Sequence, residues 1–236
     1  MGIQKGLASI QGYREEQDRK REAAAGPKTN WLGIKDKEVV KVRFLQELDE
    51  GAANYSEKNG LGFFATEHSS PADYRKKALC SMDDEEQCFG CEQHRLDWKA
   101  GWKAKSRLYI NVLVKRADGT EEVAVMSQSN GPKAVIAASV LEYAVENNTL
   151  TDRWWRITRT GSKADDTTYT TFIFGPDDDV KIEDYEVQDL DRCVRVIPYA
   201  EQEAFFLGAA TRPSEATSEG IAALAAPKGS GQDEAW

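Results

Sequence analysis

Along VVKVRFLQEL (39–48), apolar Val40, Val42 and Phe44 alternate with Lys41 and Arg43. That period of two marks a strand with one buried face. RLYINVLVKR (107–116), EEVAVMSQ (121–128), WWRITRTG (154–161) and TTYTTFIFG (167–175) carry a similar texture, and ADGT (117–120) supplies a hairpin turn between the first two of these. One stretch changes to a helical period. GPKAVIAASVLEYAVEN (131–147) has Pro132 near its start and Val135, Ile136, Val140, Leu141 and Tyr143 on or near one face. YRKKAL and EQHRLDWKA read as short helical turns, and CVRVIPY (193–199) as a final strand after the acidic stretch 176–192. Within that stretch, DDDVKIED (177–184) reads as a solvated loop rather than a nuclease's metal site.

The ends have a different texture. Residues 1–25 read as an exposed helix of mixed charge, ended by Gly26-Pro27, and after Leu207 the chain is rich in Ala, Gly, Ser and Glu with no aromatic before Trp236. The expected fold is mainly β: a small twisted barrel with an insertion, one core helix, and flexible N- and C-terminal tails. The arm would span 1–29, the core 30–207 with a metal-binding subdomain at about 62–100, and the acidic tail 208–236.

Composition narrows the chemistry. The chain has 40% hydrophobic and 30% charged residues, enough for a packed core beneath a highly charged surface. No apolar run reaches the ~20 residues of a membrane span, so a soluble, cytoplasmic protein is expected. Three of the four cysteines fall within CSMDDEEQCFGCEQH (80–94). Four thiols are too few for a disulfide-stapled fold of this length, which turns the reading toward a metal.

Cys88-Phe-Gly-Cys91 can bring two thiolates to one ion around a tight turn. With Cys80 and His68 the spacing is H-x11-C-x7-C-x2-C, four ligands that complete a closed tetrahedral site, structural rather than catalytic. His94 is a rival fourth ligand. A zinc deaminase needs H-x-E and P-C-x-x-C, but Ser69-Ser70 follow His68 and Gln87 precedes Cys88. One structural Zn2+ per chain, and no enzymatic activity, are the expectations.

A net charge of −9 taken alone argues against a nucleic-acid partner, but its distribution matters more. RLDWKAGWKAKSRLYINVLVKR (95–116) interleaves Arg95, Lys99, Lys103, Lys105, Arg107, Lys115 and Arg116 with Trp98, Trp102 and Tyr109, against one acid, Asp97. RWWRITR (153–159) repeats the mixture with Trp155, Arg156 and Arg159, and Lys41 and Arg43 add cations on the first strand. Cations that follow phosphates and rings that stack on bases suit a single strand. The alternative is a zinc-stabilised protein–protein adaptor, with Trp98 and Trp102 in its interface.

The strand KVRFL (41–45), the order His68, Cys80, Cys88, Cys91, the basic-aromatic run into YINVLVKR and the later WWRITRTG together resemble a known family. It is that of the zinc-containing single-stranded DNA-binding, helix-destabilising proteins of tailed bacteriophages, T4 type. The resemblance covers about residues 30–175. It implies an oligonucleotide-binding (OB) barrel with a zinc subdomain, His68 rather than His94 as fourth ligand, and coating of single strands in DNA replication, recombination and repair. It also implies an acidic tail that recruits partner enzymes, here through Asp233, Glu234 and Trp236, and a place in the bacterial host cytoplasm. The N-terminal segment 1–25 is nearly charge-balanced, with five basic and four acidic residues, unlike a strongly basic arm built for cooperative self-association.

Overall fold

In a computed structural model, which describes residues 29–131, 134–162, 166–175 and 180–208, the period-two segments become strands. The elements in chain order are β1 (Val39–Phe44), β2 (Phe63–Ser69), β3 (Lys77–Leu79), α1 (Met82–Glu85), α2 (Phe89–Leu96), β4 (Lys105–Lys115), β5 (Glu121–Ser129), α3 (Val135–Asn147), β6 (Trp154–Thr160), β7 (Thr168–Phe174) and α4 (Tyr199–Leu207). The expected N-terminal helix and C-terminal tail lie outside the described residues. No described helix is long and apolar enough to cross a membrane. The chain divides into two compact units, one holding described residues up to 65 with 105–194, the other 66–104 with 195–208.

The first unit is an antiparallel sheet in the order β5-β4-β1-β6-β7. β4 and β5 form the expected hairpin, registered from Arg107↔Ser129 to Lys115↔Glu121, and Gly119 takes the turn at φ 86°. One face carries Val40, Val42, Phe44, Val112, Val114, Ala124, Met126, Trp155 and Ile157, covered by Ile136, Ala137 and Val140 of α3. Val135 instead faces outward. Trp155 meets Phe44 and Tyr143 edge-on, both at 5.4 Å between ring centres. Truncating a core ring of this size costs about 3–5 kcal/mol.

The sheet is open among the described residues. β5 and β7 do not pair, and the outer edge of β5 instead takes Leu32 N–H onto Val125 O (2.9 Å) and gives Val125 N–H to Asn30 O (2.7 Å). The opposite face is partly covered too. Val180, Ile182, Tyr185 and Val187 pack on Leu45, Leu113 and Trp154, so the described part of the acidic stretch is a strap rather than a solvated loop. Amides fasten it: Gln188 N–H donates to Asn111 Oδ1 (3.1 Å) and Asn111 Nδ2 to Gln188 O (2.9 Å).

Two further segments depart from the structure their sequence predicts. CVRVIPY is not a strand: Leu190–Cys193 form a 3-10 turn, and after Pro198 the chain enters α4. Its alternating valines find no sheet face, and Val196 is exposed. YRKKAL is not a helical turn, because Lys77–Leu79 pair with β2 (Glu67↔Leu79, His68↔Ala78). In the second unit, Ala78, Phe89, Trp102 and Phe206 form the core, with Trp102 edge-on to Phe89 (5.6 Å) and to Phe206 (5.4 Å).

Candidate metal centre and nucleic-acid interface

β2 presents His68, the segment after β3 presents Cys80, Cys88 stands at the N-cap of α2, and Cys91 lies in that helix's first turn. Their ligand atoms all lie within 4.8 Å of one another, so these four residues can hold a metal ion. Cys80 Sγ is 3.6 Å from Cys91 Sγ, and Cys91 Sγ is 3.3 Å from His68 Nε2. A tetrahedral ion with bonds of about 2.3 Å to sulfur and 2.0 Å to nitrogen separates its ligand atoms by roughly 3.5–3.8 Å. These two spacings fall about 0.2 Å short of those edges. His94 is outside the group.

The site is braced from behind. His68 is buried, and its Nδ1 lies 2.6 Å from Trp102 O. A proton on Nδ1 donated to that carbonyl leaves Nε2 free to face the thiols, the usual support for a ligating imidazole. Gly90 lies against the ring: an added Cβ there would run into the imidazole of His68. Gly90→Ala should therefore displace His68 and weaken metal binding by about tenfold or more, measured by competition with a chelator. Wild-type affinity in that variant would show that the ring has room to move.

Without a cation the thiols divide their protons unequally. Burial raises the Cys88 pKa, but the hydrogen bond to His68 and backbone donors outweigh it and hold the thiol at about 6. Burial pushes Cys91 up to about 12, helped by Cys80 and by charge on Cys88. His68 is raised: burial lowers it, and the Cys88 thiolate and the Trp102 carbonyl more than compensate. One thiolate, Cys88, is what the bare site favours, whereas three thiolates on one centre need a dication.

The proposed nucleic-acid residues separate into buried and accessible groups. Arg43 is buried and donates from Nε to Thr151 O (3.0 Å). Tyr109 and Trp155 are fully buried in the first unit, and Trp102 is buried in the second. These four side chains are packed inside the units rather than presented at a surface. Arg116 is clamped by Glu38 (2.6 Å) and Glu122 (3.1 Å), Arg107 by Ser127 (3.0 Å), and Arg159 donates to Ile34 O (2.7 Å). In the second unit Lys103 is exposed, and Trp98, 71% exposed, carries Lys99 at 5.1 Å from its ring centre. Lys105 is exposed at the start of β4.

On the first unit's sheet, register assembles a row that the linear sequence hides. Lys41 stands opposite Lys115 on one side and Arg156 on the other, and Arg156 stands opposite Phe172. Each cation lies over a ring: Lys115 over Trp154 (4.6 Å), Lys41 over Phe174 (5.4 Å) and Arg156 over Phe172 (5.0 Å). With strands about 4.8 Å apart, three cations line up within about 10 Å. Glu121, 3.2 Å from Lys115, closes one end, and Phe172, 55% exposed, lies at the other. Phe172 and Phe174 were not among the sequence candidates; only the pairing of β6 with β7 brings them to the cations. Asp233, Glu234 and Trp236 lie outside the described residues. Compared with protein-family models, curated proteins and solved structures, the chain matches none.

Proposed function

We propose that the protein binds single-stranded DNA without catalysing a reaction, coating transient single strands in phage-type replication, recombination and repair. The observation that carries this reading is the row Lys115–Lys41–Arg156 with its rings. Like charges directly opposite on neighbouring strands oppose folding, so a row of three is best explained by a polyanion that neutralises it. The exposed ring of Phe172 at its end is a platform on which a base can stack, an interaction worth about 1–3 kcal/mol. A paired duplex hides its base faces, which favours the single strand.

Topology supports the same reading. In the first unit β1, β4, β5, α3, β6 and β7 follow one another with β1 between β4 and β6, an order that supports reading the open sheet as a partly open OB barrel. On that reading, the segment between β1 and β4 that contains the metal ligands would stand in place of the first of the loops that such barrels use for oligonucleotides. A Cys3His set suits Zn2+ in a structural role. Recruitment of replication or recombination enzymes through Asp233, Glu234 and Trp236, and residence in the host cytoplasm, belong to this proposal.

The test is a fluorescence titration with oligo-dT and with duplex DNA at two salt concentrations. Tighter binding to oligo-dT is expected, with log K falling against log salt by about 0.7 per phosphate neutralised. Equal affinity for the duplex, or no binding to either, would return the protein to the adaptor reading.

A further inference from the structure

Helix α4 reaches a residue tied to each of the four metal ligands. Gln202, fully buried, accepts from Phe89 N–H (2.9 Å) and donates to Ser81 Oγ (2.8 Å) and to Ile197 O (2.9 Å). Ser81 follows Cys80 in the chain, and Phe89 follows Cys88. The Ser81 hydroxyl in turn donates to Gln87 O (2.5 Å), so one amide braces the loop at both of its ends. Tyr199 OH donates to Glu92 Oε1 (2.9 Å), the residue after Cys91. Phe206 packs against Trp102, whose carbonyl lies 2.6 Å from His68 Nδ1.

From this arrangement we infer that docking of α4 and occupancy of the His68–Cys80–Cys88–Cys91 site are thermodynamically coupled, so that the metal state controls whether residues 199–207 are held or released. The coupling acts in both directions. A nine-residue helix is marginal by itself and depends on the surface it packs against. That surface is the ligand loop, and an ion fixes the loop's shape. If α4 leaves, Phe89 N–H and the Ser81 hydroxyl are deprived of Gln202, and Trp102 of Phe206. The backbone beside each ligand is then free to move. If the metal leaves, three thiols and an imidazole no longer share one centre, and Gln202 is without the fixed spacing between Ser81 and Phe89. Coupling of this kind is reciprocal. Its consequence is local opening at α4 on metal loss, which releases residues 199–207. The inference requires the metal reading and is independent of nucleic-acid binding.

The experiment uses the full chain loaded with Zn2+. Gln202→Met keeps the volume of the side chain and removes its hydrogen bonds. It should lose zinc to a chromogenic chelator at least about tenfold faster than wild type, in line with the effect of removing a ligand's supporting group. In wild type, amide exchange in 199–207 should speed up by about tenfold or more when zinc is stripped, while β4 and β5 keep their protection. The exchange measurement needs no variant, so a poorly folding Gln202→Met leaves the inference testable. Wild-type zinc release from Gln202→Met, or unchanged protection of 199–207 in the stripped protein, would overturn the coupling. A wild-type chain that takes up no zinc would overturn it at an earlier step, through the metal reading itself.

Discussion

Cys88→Ser should abolish stoichiometric metal binding and strongly destabilise the second unit. The expected content of the wild type is one Zn2+ per chain by elemental analysis, and of this variant essentially none. Of the three thiols, Cys88 is the one held as a thiolate, at about 6 against an ordinary value of 9.0, beside His68. A serine hydroxyl does not ionise in this range and offers the ion a poor ligand. The unit has little else to replace the missing free energy. Its buried core is Ala78, Phe89, Trp102 and Phe206, and zinc in finger-like sites contributes on the order of 10–16 kcal/mol. His68→Ala should behave in the same way, and His94→Ala should keep its zinc because His94 stands outside the ligand group. The opposite pattern in the two histidine variants would show the ligand assignment to be wrong.

The same site gives a pH dependence with a definite sign. In the metal-free protein, a folded-state Cys88 pKa below its unfolded value stabilises the fold above the unfolded value. That contribution disappears as pH falls through about 6. In the loaded protein, protons compete with the ion for the same sulfurs, so acidification releases metal in the same direction. Chelator-free zinc release followed across pH should therefore increase toward acid.

How much of this was legible in the sequence depends on how local the signal is. The thiols and His68 announced themselves because C-x2-C chemistry is fixed by a few residues and a turn. The strands of the first unit were legible because one face of each meets the core. The pattern did not say what covers the other face. Lys41 and Arg43 occupy equivalent positions in the alternation, yet Lys41 is exposed and Arg43 is buried beside Thr151. Helix α4 was missed for a related reason. Phe205, Phe206 and Leu207 are consecutive rather than spaced on one stripe, and the alternating valines before Pro198 imitate a strand. The helix is held by Gln202, Tyr199 and Phe206, whose partners lie about 100 positions earlier in the chain. The cation row was invisible for the same physical reason, since Lys41, Lys115, Arg156 and Phe172 become neighbours only through strand register.

Removing two cations of that row, Lys41→Ala with Arg156→Ala, should weaken oligo-dT binding and flatten its salt dependence. Each phosphate that is no longer neutralised should reduce the slope of log K against log salt by about 0.7. The double variant should therefore bring the slope down by roughly 1.4 if each cation neutralises one phosphate. Phe172→Ala should act differently. It removes a stacking surface and no charge, so about 1–3 kcal/mol of affinity should disappear while the slope stays nearly constant. Stability then separates a ligand site from a folding device. Lys41 stands between Lys115 and Arg156, and relieving like-charge repulsion across strands should leave the melting temperature unchanged or slightly raised. The approach of Lys41 to the Phe174 ring, at 5.4 Å, works against that gain but is worth only about 0.5–1 kcal/mol at an exposed site. Arg43→Ala is the contrasting case: its guanidinium is buried on Thr151 O, so it should lower the melting temperature and leave the salt slope of the folded protein intact. Weaker binding with stability preserved in the row variants would identify the row as the surface where the phosphates lie. Unchanged salt slope and affinity in Lys41→Ala with Arg156→Ala would remove the row from the binding surface, whatever else the protein binds.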